Sequence, residues 1–516
     1  MNNIVIVNAA FVNPAAFQPL PYNKVNTNSD AVNDALTYSF NYARSLPQVQ
    51  KVVVFITENS KAKIILDRAA RLNFSVVIEP EWDLKVFFSH LKDLSGGYDN
   101  LIYFYADCPL LDRILSNKMY ENHLNYFADY TFADGYPYGL TPEVLRSDIV
   151  PVLYDIANNN GSNIEKTVSR ETIFNVIKCD INSFDIETEI APVDQRMLRI
   201  SLTADSRRDF QLLKNIMQSQ ARTAEEVTTV IERRPELLRS LPAFFPIQII
   251  EGCPQICSYC PYGIEVLNEP GKRSEMALTV FDNIVKQISD FCDDAVLSVS
   301  LWGEPAFYSD FVKLVELVSE YSKLNMLIET SGIGWSQSVL RDVIALPNAP
   351  KWILSLDSID EKVYRKLRGS GFSEAVKNTE WLLENDPENV YVQAVRMNEN
   401  EEQLERFYKE WNKKTENIII QKYDSFAQRL PDRQVADLTP LSRHPCWHNK
   451  REVAILIDGT VPLCREDFKA EISLGNILED GIENVWESGQ EIYLRHLQEN
   501  YPDLCRRCDE FYTFNF

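Results

Sequence analysis

Three cysteines occur within eight residues in the segment EGCPQICSYCPYG, residues 251–263. Cys253, Cys257 and Cys260 are separated by three and two residues, and they follow an apolar run that predicts a strand. Thiolates are the usual ligands of iron–sulfur cubanes, and this spacing lets one loop direct three sulfurs to three corners of a cube. The fourth iron would keep an open coordination site, where a ligand other than the protein can bind.

Two other roles for these cysteines stay open at this point. A structural zinc ion prefers four ligands, whereas no fourth Cys or His lies near the loop. A disulfide is disfavoured, because ten cysteines without a secretory signal are typical of a reducing compartment. The opening residues MNNIVIVNAA carry no positive charge before the first apolar run, so they predict a strand rather than a signal peptide. We therefore expect a cytoplasmic protein.

The length and composition of the chain limit the classes of protein to which it can belong. The chain has 516 residues, more than one ordinary domain needs, and its 45% hydrophobic and 25% charged residues are typical of globular proteins. The formal net charge of -23 argues against nucleic acid as the main partner, because phosphate contacts require a surplus of Lys and Arg. No apolar run approaches the roughly 18 residues that span a bilayer. We expect neither a nucleic-acid nor a membrane partner.

Strands and helices alternate in both halves of the sequence. In the first half, apolar runs such as NIVIVNA and KVVVFITE alternate with helical periodicity, which predicts a parallel or mixed sheet covered on both faces. The second half has six predicted strands with helical segments between them: FFPIQIIEG, AVLSVSLWG, LNMLIETSG, KWILSLDS, VYVQAVRM and ENIIIQKYD. Six such strands suit a partial (β/α) barrel rather than a closed barrel of eight.

The cysteine loop, with Tyr259 before its last cysteine, resembles the signature of the radical S-adenosylmethionine (radical SAM) superfamily. WGEP resembles the motif that receives the amino group of SAM, a task that suits the carboxylate of Glu304, although Trp302 stands where the family has its first glycine. ETSG, SLDS and RKLRGSG resemble segments near the adenosine, the ribose or methionine, and the SAM carboxylate. The SAM-binding residues that this resemblance implies are Tyr259, Gly303, Glu304, Pro305, Thr330, Ser355, Asp357 and Arg368.

The resemblance also implies cofactors and a type of reaction. The methionine nitrogen and oxygen of SAM would bind the open iron of a [4Fe–4S] cluster held by the three cysteines. An electron from the reduced cluster would cleave SAM, and the resulting 5'-deoxyadenosyl radical would abstract hydrogen from an unidentified peptide or small-molecule substrate. The implied partner is an external electron donor of the flavodoxin or ferredoxin type.

Four further cysteines occur in the tail from residue 441: Cys446, Cys464, Cys505 and Cys508. The first two, with a glycine between them, match the opening of the SPASM motif. The later cysteines of a full SPASM domain are missing, which implies one auxiliary [4Fe–4S] cluster, as in the related twitch subdomain, with an electron-transfer role. A structural zinc site with four cysteines is the alternative.

Other polar residues near these motifs have less specific signals. His444 and His448 flank Cys446, and we expect surface or outer positions for them rather than ligation. Tyr423 and Asp424, at the end of the last predicted barrel strand, are candidates for facing the substrate, with Asp424 as a proton acceptor; a solvated loop is the alternative. We expect the remaining cysteines to be buried apolar residues: Cys108, Cys179 and Cys292.

The first half resembles sugar nucleotidyltransferases of the cytidylyltransferase type, which have a GT-A-like α/β fold. YADCPLLD, ADYTFADGYPYGLTPEVL and LRISLTADSRRDFQLL carry the resemblance, and Asp107 corresponds to an aspartate that helps hold a divalent metal. The glycine-rich triphosphate loop of that family is replaced by NAAFVNPAAFQPLPYNK, and the first glycine of the chain is Gly96. We therefore expect that nucleotidyl transfer is lost and that Asp107 is a vestige of the metal site.

The patterns together predict four segments: a nucleotidyltransferase-like domain (1–221), a helical connector (222–244), a radical SAM core (245–440) and a SPASM/twitch-like domain (441–516). This order resembles the subgroup called spiro-SPASM. The predicted function is that of a radical SAM oxidoreductase or maturase acting on a peptide or on a sugar- or nucleotide-linked substrate. Two alternatives are a sugar nucleotidyltransferase with an appended iron–sulfur domain and a non-catalytic iron–sulfur scaffold.

Overall fold

Two sheets covered by helices form the framework of the protein. The computed structural model describes residues 1–21, 33–159, 166–263 and 274–513, which divide into two units, Met1–Ser240 and Leu241–Phe516. None of the helices in these ranges is both long enough and apolar enough to cross a membrane.

Strands and helices alternate in the first unit, as the sequence predicts. The strands are β1 (Asn3–Asn8), β2 (Val49–Thr57), β3 (Ser75–Glu79), β4 (Asn100–Tyr105), β5 (Tyr130–Asp134), β6 (Glu143–Arg146) and β7 (Ile186–Ile190). The helices are α1 (Ala35–Ser45), α2 (Ala62–Arg71), α3 (Leu84–Ser95), α4 (Arg113–Asn125), α5 (Val150–Asn159), α6 (Thr172–Lys178), α7 (Arg207–Gln218) and α8 (Ala224–Arg233).

The sheet of the first unit has the order β3-β2-β1-β4-β6-β5-β7. All pairs are parallel except those of β6, which runs antiparallel to β4 and β5. Every residue of β1 and β4 is buried, as continuous apolar strands in a sheet covered on both faces require. The prediction of a mixed α/β sheet is confirmed. The segment predicted in place of the triphosphate loop follows β1, and its last residues, 22–24, lie outside the described ranges.

The second unit contains the barrel. Its strands are β8 (Phe244–Pro246), β9 (Ala295–Ser298), β10 (Leu324–Thr330), β11 (Lys351–Ser355), β12 (Val390–Arg396) and β13 (Ile418–Lys422). The helices between them are α9 (Leu278–Cys292), α10 (Phe311–Ser319), α11 (Gln337–Ile344), α12 (Glu361–Arg368), α13 (Phe372–Asn385) and α14 (Glu401–Trp411). The six strands lie in sequence order and are all parallel, so the predicted partial barrel is confirmed.

The tail of the second unit completes one edge of the barrel. It contains α15 (Trp447–Arg451), β14 (Thr460–Pro462), β15 (Ser473–Asn476), α16 (Ile482–Ser488), α17 (Gln490–Leu497) and α18 (Asp503–Arg507). Between α15 and β14, Val453 and Ile455 donate backbone hydrogen bonds to Phe244 and Pro246 on the free edge of β8. β14 pairs antiparallel with β15, and a tight turn lies just before β14, where Gly459 adopts φ +85° and donates to the Leu456 carbonyl at 2.9 Å.

The three cysteines outside the two predicted cluster sites differ in their exposure to solvent. Cys108 and Cys292 are buried, as predicted, whereas Cys179 is exposed, so the prediction of a buried Cys179 is wrong. Cys179 follows the last residue of the short helix α6, where the chain leaves the core.

A close backbone contact joins the cysteine loop to the loop that follows β9. Gly252 and Gly303 form a parallel bridge, and the Glu304 N–H donates to the Gly252 carbonyl at 3.0 Å. A Cβ atom on Gly303 would lie 2.1 Å from the Ile250 carbonyl oxygen. Only glycine therefore fits at residue 303.

We predict that Gly303→Ala lowers the free energy of unfolding of the second unit by about 1–3 kcal/mol, because the added Cβ forces two backbones apart. Thermal unfolding measured by circular dichroism checks this. The matched control is Gly263→Ala in the same loop, whose Cβ would meet its nearest neighbour, the Ile256 Cα, at 3.9 Å. Equal stability of the two variants would contradict the argument.

Candidate active site

A cavity of about 490 Å³ opens at the carboxyl ends of the barrel strands. Parallel strands end at the same edge of a sheet, so the loops that follow them meet around this opening. The cavity is lined by residues from every barrel strand or the loop after it, among them Cys253, Cys257, Cys260, Tyr259, Gly303, Glu304, Glu329, Thr330, Ser355, Arg368, Gln393, Lys422, Asp424 and Arg465. Most of the residues that the sequence predicts for SAM binding are thus brought to one place.

The three cysteines of the loop line this cavity. Burial raises the pKa of Cys253 and that of Cys257 to about 12, and it raises the pKa of Cys260. Backbone N–H groups of the same loop donate to the sulfurs of Cys253 and Cys260. A bound cationic metal centre would stabilise the thiolates that burial alone disfavours.

Glu304 lies at the cavity wall with its carboxylate held by neighbouring donors. The Ser331 N–H and hydroxyl donate to Oε2 at 2.9 and 2.6 Å, and the Thr330 hydroxyl donates to Oε1 at 2.5 Å. Burial raises the pKa of Glu304, while these donors lower it. An ammonium group is a suitable partner for such a carboxylate, since it supplies charge and further donors. Pro305, the next residue, begins a short 3-10 helix and is buried.

Arg368 is positioned by a buried network that includes Asp357. Arg368 donates to Asp357 Oδ2 at 2.8 Å and to Gln255 Oε1 at 2.9 Å, and the Tyr259 hydroxyl donates to the same Asp357 oxygen. Asp357 also accepts a hydrogen bond from the Val395 N–H at 2.8 Å and is 1% exposed. Arg368 and Tyr259 face the cavity, and Asp357 holds them there from behind.

Four cysteines of the tail are also brought together. Burial raises the pKa of Cys446 to about 11 and that of Cys505 to about 12, and it raises the pKa of Cys464 and Cys508. The charge of Glu466 raises the pKa of Cys464 further, and so do the other three cysteines, which lie close to it. His448 uses both ring nitrogens elsewhere, Nδ1 toward Glu452 and Nε2 toward the Glu510 carbonyl.

The sulfurs of the cysteine sets are not gathered as closely as ligands of a single metal ion. In the described part of the chain, the one set of three or more Cys, His, Asp or Glu ligand atoms within 4.8 Å of each other is Asp424, Asp509 and Glu510. Four sulfurs around a tetrahedral zinc would be about 3.8 Å apart, given Zn–S bonds near 2.3 Å. Within the described ranges, no three cysteine sulfurs lie within 4.8 Å of one another.

A charged network that the sequence did not predict lies where the cavity meets the tail. Arg465 contacts Asp424 at 3.5 Å and Glu466 at 3.1 Å, and Lys422 contacts Asp509 at 3.0 Å. Burial raises the pKa of Asp424 to about 6, and the charge of a neighbouring glutamate adds to the effect. Asp424 is marked in the sequence by its place at the end of a predicted strand, whereas no local signal links it to its partners in the tail.

The contacts of Tyr423 and Trp302 differ from those that the sequence motifs predict. Tyr423 is 1% exposed, and its hydroxyl donates to the Pro431 carbonyl at 2.6 Å. Trp302 has a left-handed backbone with φ +51° and lines the cavity in the position where the resemblance expects glycine. Its ring is 5.5 Å from that of Phe426 and 5.8 Å from that of Phe468, so the indole connects the barrel to the tail.

In the first unit, the predicted metal ligand Asp107 follows β4 and is 3% exposed. Its carboxylate accepts a hydrogen bond from Arg170 at 2.5 Å. The side chain is therefore already paired with a cation of the protein itself.

Two family models match parts of the second unit. A family model described as the Radical SAM superfamily matches residues 247–410, and one described as an iron–sulfur cluster-binding domain, SPASM, matches residues 446–509. An uncharacterised protein of Treponema pallidum (strain Nichols) is 38% identical over 360 residues, which cover 67% of this chain and 98% of the relative.

Two further proteins are similar to this chain at lower sequence identity. The S-adenosyl-L-methionine-dependent 2-deoxy-scyllo-inosamine dehydrogenase of Niallia circulans is 20% identical over 272 residues, 51% of this chain and 91% of the relative. A solved cytidylyltransferase from Leptospira borgpetersenii serovar Hardjo-bovis is 16% identical with a TM-score of 0.36, covering 46% of this chain and 95% of that chain.

The chain belongs to the radical SAM superfamily and carries a SPASM domain. It is therefore an enzyme, and its cofactors are SAM, the [4Fe–4S] cluster that binds SAM and an auxiliary [4Fe–4S] cluster. These predictions from the sequence are confirmed. The assignment of individual ligands and SAM contacts stays a prediction, which the geometry described above supports.

We predict that Asp357→Asn weakens SAM binding at least about tenfold, because Arg368 loses its charged hydrogen-bond partner in a buried site. Equilibrium dialysis of SAM against the cluster-loaded protein checks this. Asp360→Asn is the control, since Asp360 caps α12 and asparagine serves there equally well. Unchanged affinity in the Asp357 variant would contradict its positioning role.

Proposed function

We propose that the protein is a radical SAM oxidoreductase that removes hydrogen from a small, polar, sugar-like substrate in the barrel cavity. The observation that carries this proposal is a ring of polar side chains on adjacent strands, with the carboxylate of Glu329 facing the cavity. When bound, SAM and the two clusters supply a 5'-deoxyadenosyl radical for hydrogen abstraction and a site that accepts the second electron. The protein has to bind, orient and deprotonate the substrate.

The polar ring is built from neighbouring strands of the barrel. Gln393 Nε2 donates to Glu329 Oε1 at 2.9 Å and to Ser355 Oγ at 3.1 Å, and the Ser355 hydroxyl donates to the same Glu329 oxygen at 3.3 Å. Glu329 is exposed to the cavity, and no cationic side chain of the described residues forms an ion pair with it. A substrate that offers hydroxyl or ammonium donors would complete this arrangement.

Two cationic side chains that line the cavity are paired with carboxylates of the protein. Arg368 pairs with Asp357, and Lys422 pairs with Asp509. Glu304 is the predicted partner of the SAM ammonium group, which leaves the carboxylate of Glu329 for the substrate. The similarity to an S-adenosyl-L-methionine-dependent 2-deoxy-scyllo-inosamine dehydrogenase also supports a substrate of this class.

Asp424 is our candidate for the group that receives the substrate proton. Its carboxylate lines the cavity, and burial raises its pKa to about 6, close enough to neutrality for a general base. Loss of a hydrogen atom, an electron and a proton from a secondary alcohol would give a ketone.

The test is anaerobic turnover of the reduced, cluster-loaded protein with deuterated candidates. We expect deuterium from a labelled aminocyclitol or sugar alcohol to appear in 5'-deoxyadenosine, as measured by mass spectrometry. Labelled peptides serve as the comparison, because SPASM-type resemblance also suggests peptide modification. Transfer from peptides alone would overturn the substrate class, and no SAM cleavage at all would overturn the radical reaction.

We predict that Glu329→Gln lowers deuterium transfer from the substrate at least about tenfold, since one charged hydrogen bond is worth about 1.5–3 kcal/mol. SAM cleavage without substrate should be unchanged. Glu316→Gln on the exposed face of α10 is the matched control. If the Glu329 variant lost deuterium transfer and substrate-free SAM cleavage equally, Glu329 would act in SAM binding instead.

A further inference from the structure

Two carboxylates of the first unit face a single point beside the carboxyl end of β4. Asp107 follows that strand, and Asp205 lies in the segment before α7. The Ala204 N–H donates to the Asp107 carbonyl at 2.9 Å, which joins the two segments, and the Thr203 hydroxyl orients Asp205 through a 2.6 Å hydrogen bond to Oδ1. Paired carboxylates in such a position are typical ligands of a divalent cation.

The guanidinium of Arg170 fills that point. One nitrogen, Nη2, donates to Asp107 Oδ2 at 2.5 Å and to Asp205 Oδ2 at 2.8 Å, and Nε donates to the same Asp205 oxygen at 3.1 Å. Since both carboxylates contact one nitrogen, a metal ion that bound both would have to displace it.

The guanidinium is held in place from both sides. It lies 4.6 Å from the ring centroid of Tyr105 and 4.9 Å from that of Tyr138, within the range of cation–π contacts. The Tyr105 hydroxyl donates to the Ser169 carbonyl at 2.7 Å, which fixes the backbone next to Arg170. Burial raises the pKa of Asp107 even though Arg170 opposes it, so this carboxylate depends on its cationic neighbour.

We propose that Arg170 is an internal cation that replaces a divalent metal between Asp107 and Asp205. The first unit therefore binds no divalent metal ion at this point. The residues present do not fit the divalent ion that a nucleotidyltransferase-like domain would require, because its place is occupied by a permanently charged side chain. This inference goes beyond the proposed reaction of the barrel and does not depend on it.

Replacing a divalent metal by Arg170 changes which ligands this site can bind. With two carboxylates and one guanidinium, the local charge is negative and no metal bridges to phosphate. A triphosphate would be repelled, so we infer that the unit does not transfer nucleotidyl groups. A neutral or cationic ligand remains compatible with the site.

The test measures Mn²⁺ binding to the full chain through the room-temperature EPR signal of the free ion, which bound Mn²⁺ loses. We expect the wild type and Asp107→Asn to bind Mn²⁺ alike. Arg170→Gln should gain one site with a dissociation constant at least tenfold lower than that of any wild-type site. Adding Asp107→Asn to Arg170→Gln should remove the new site, and Arg170→Lys, which keeps the charge, should behave as the wild type.

Two outcomes would overturn the proposal. One is Mn²⁺ binding by the wild type that Asp107→Asn abolishes. The other is an Arg170→Gln variant that gains no site although its circular dichroism and iron content match those of the wild type. If Arg170→Gln does not fold, the comparison of wild type with Asp107→Asn decides the question by itself.

Discussion

The contact between Gly252 and Gly303 is the constraint on which the active site depends. It brings the backbone of the cysteine loop against the loop that follows β9, where a side chain on Gly303 would meet the Ile250 carbonyl. Glu304 is the next residue, so the same contact places its carboxylate beside the cysteines. A carboxylate and three thiolates that are distant in sequence thereby face one cavity.

Around this contact, buried charges are satisfied in separate networks. Asp357 holds Arg368 and Tyr259, and Arg465 of the tail forms an ion pair with Asp424. Removing one member of a buried pair leaves the other uncompensated, which is strongly destabilising. The cavity is therefore shaped by groups that cannot easily rearrange, and Glu329 is left with its carboxylate open to a ligand.

Much of this arrangement is predictable from the sequence because the informative residues are local. Strand runs, strand-end motifs and cysteine spacings each lie within a few residues, so they predict the six-strand barrel and both cysteine sets. The network around Arg465 and the pairing of Arg170 with Asp107 and Asp205 join distant segments, and arginine carries no signal of its partner. The contacts of Trp302 are equally hard to predict. The sequence shows that tryptophan stands where glycine is expected, but it does not show that the indole contacts Phe426 and Phe468.

The most direct test is iron content and SAM cleavage under anaerobic reduction, for the wild type and for a variant with Cys253, Cys257 and Cys260 all changed to Ala. Two cubane clusters predict about eight irons per chain in the wild type and about four in the variant. Only the wild type should form 5'-deoxyadenosine. A variant that keeps all its iron, or a wild type that leaves SAM intact, would contradict the account.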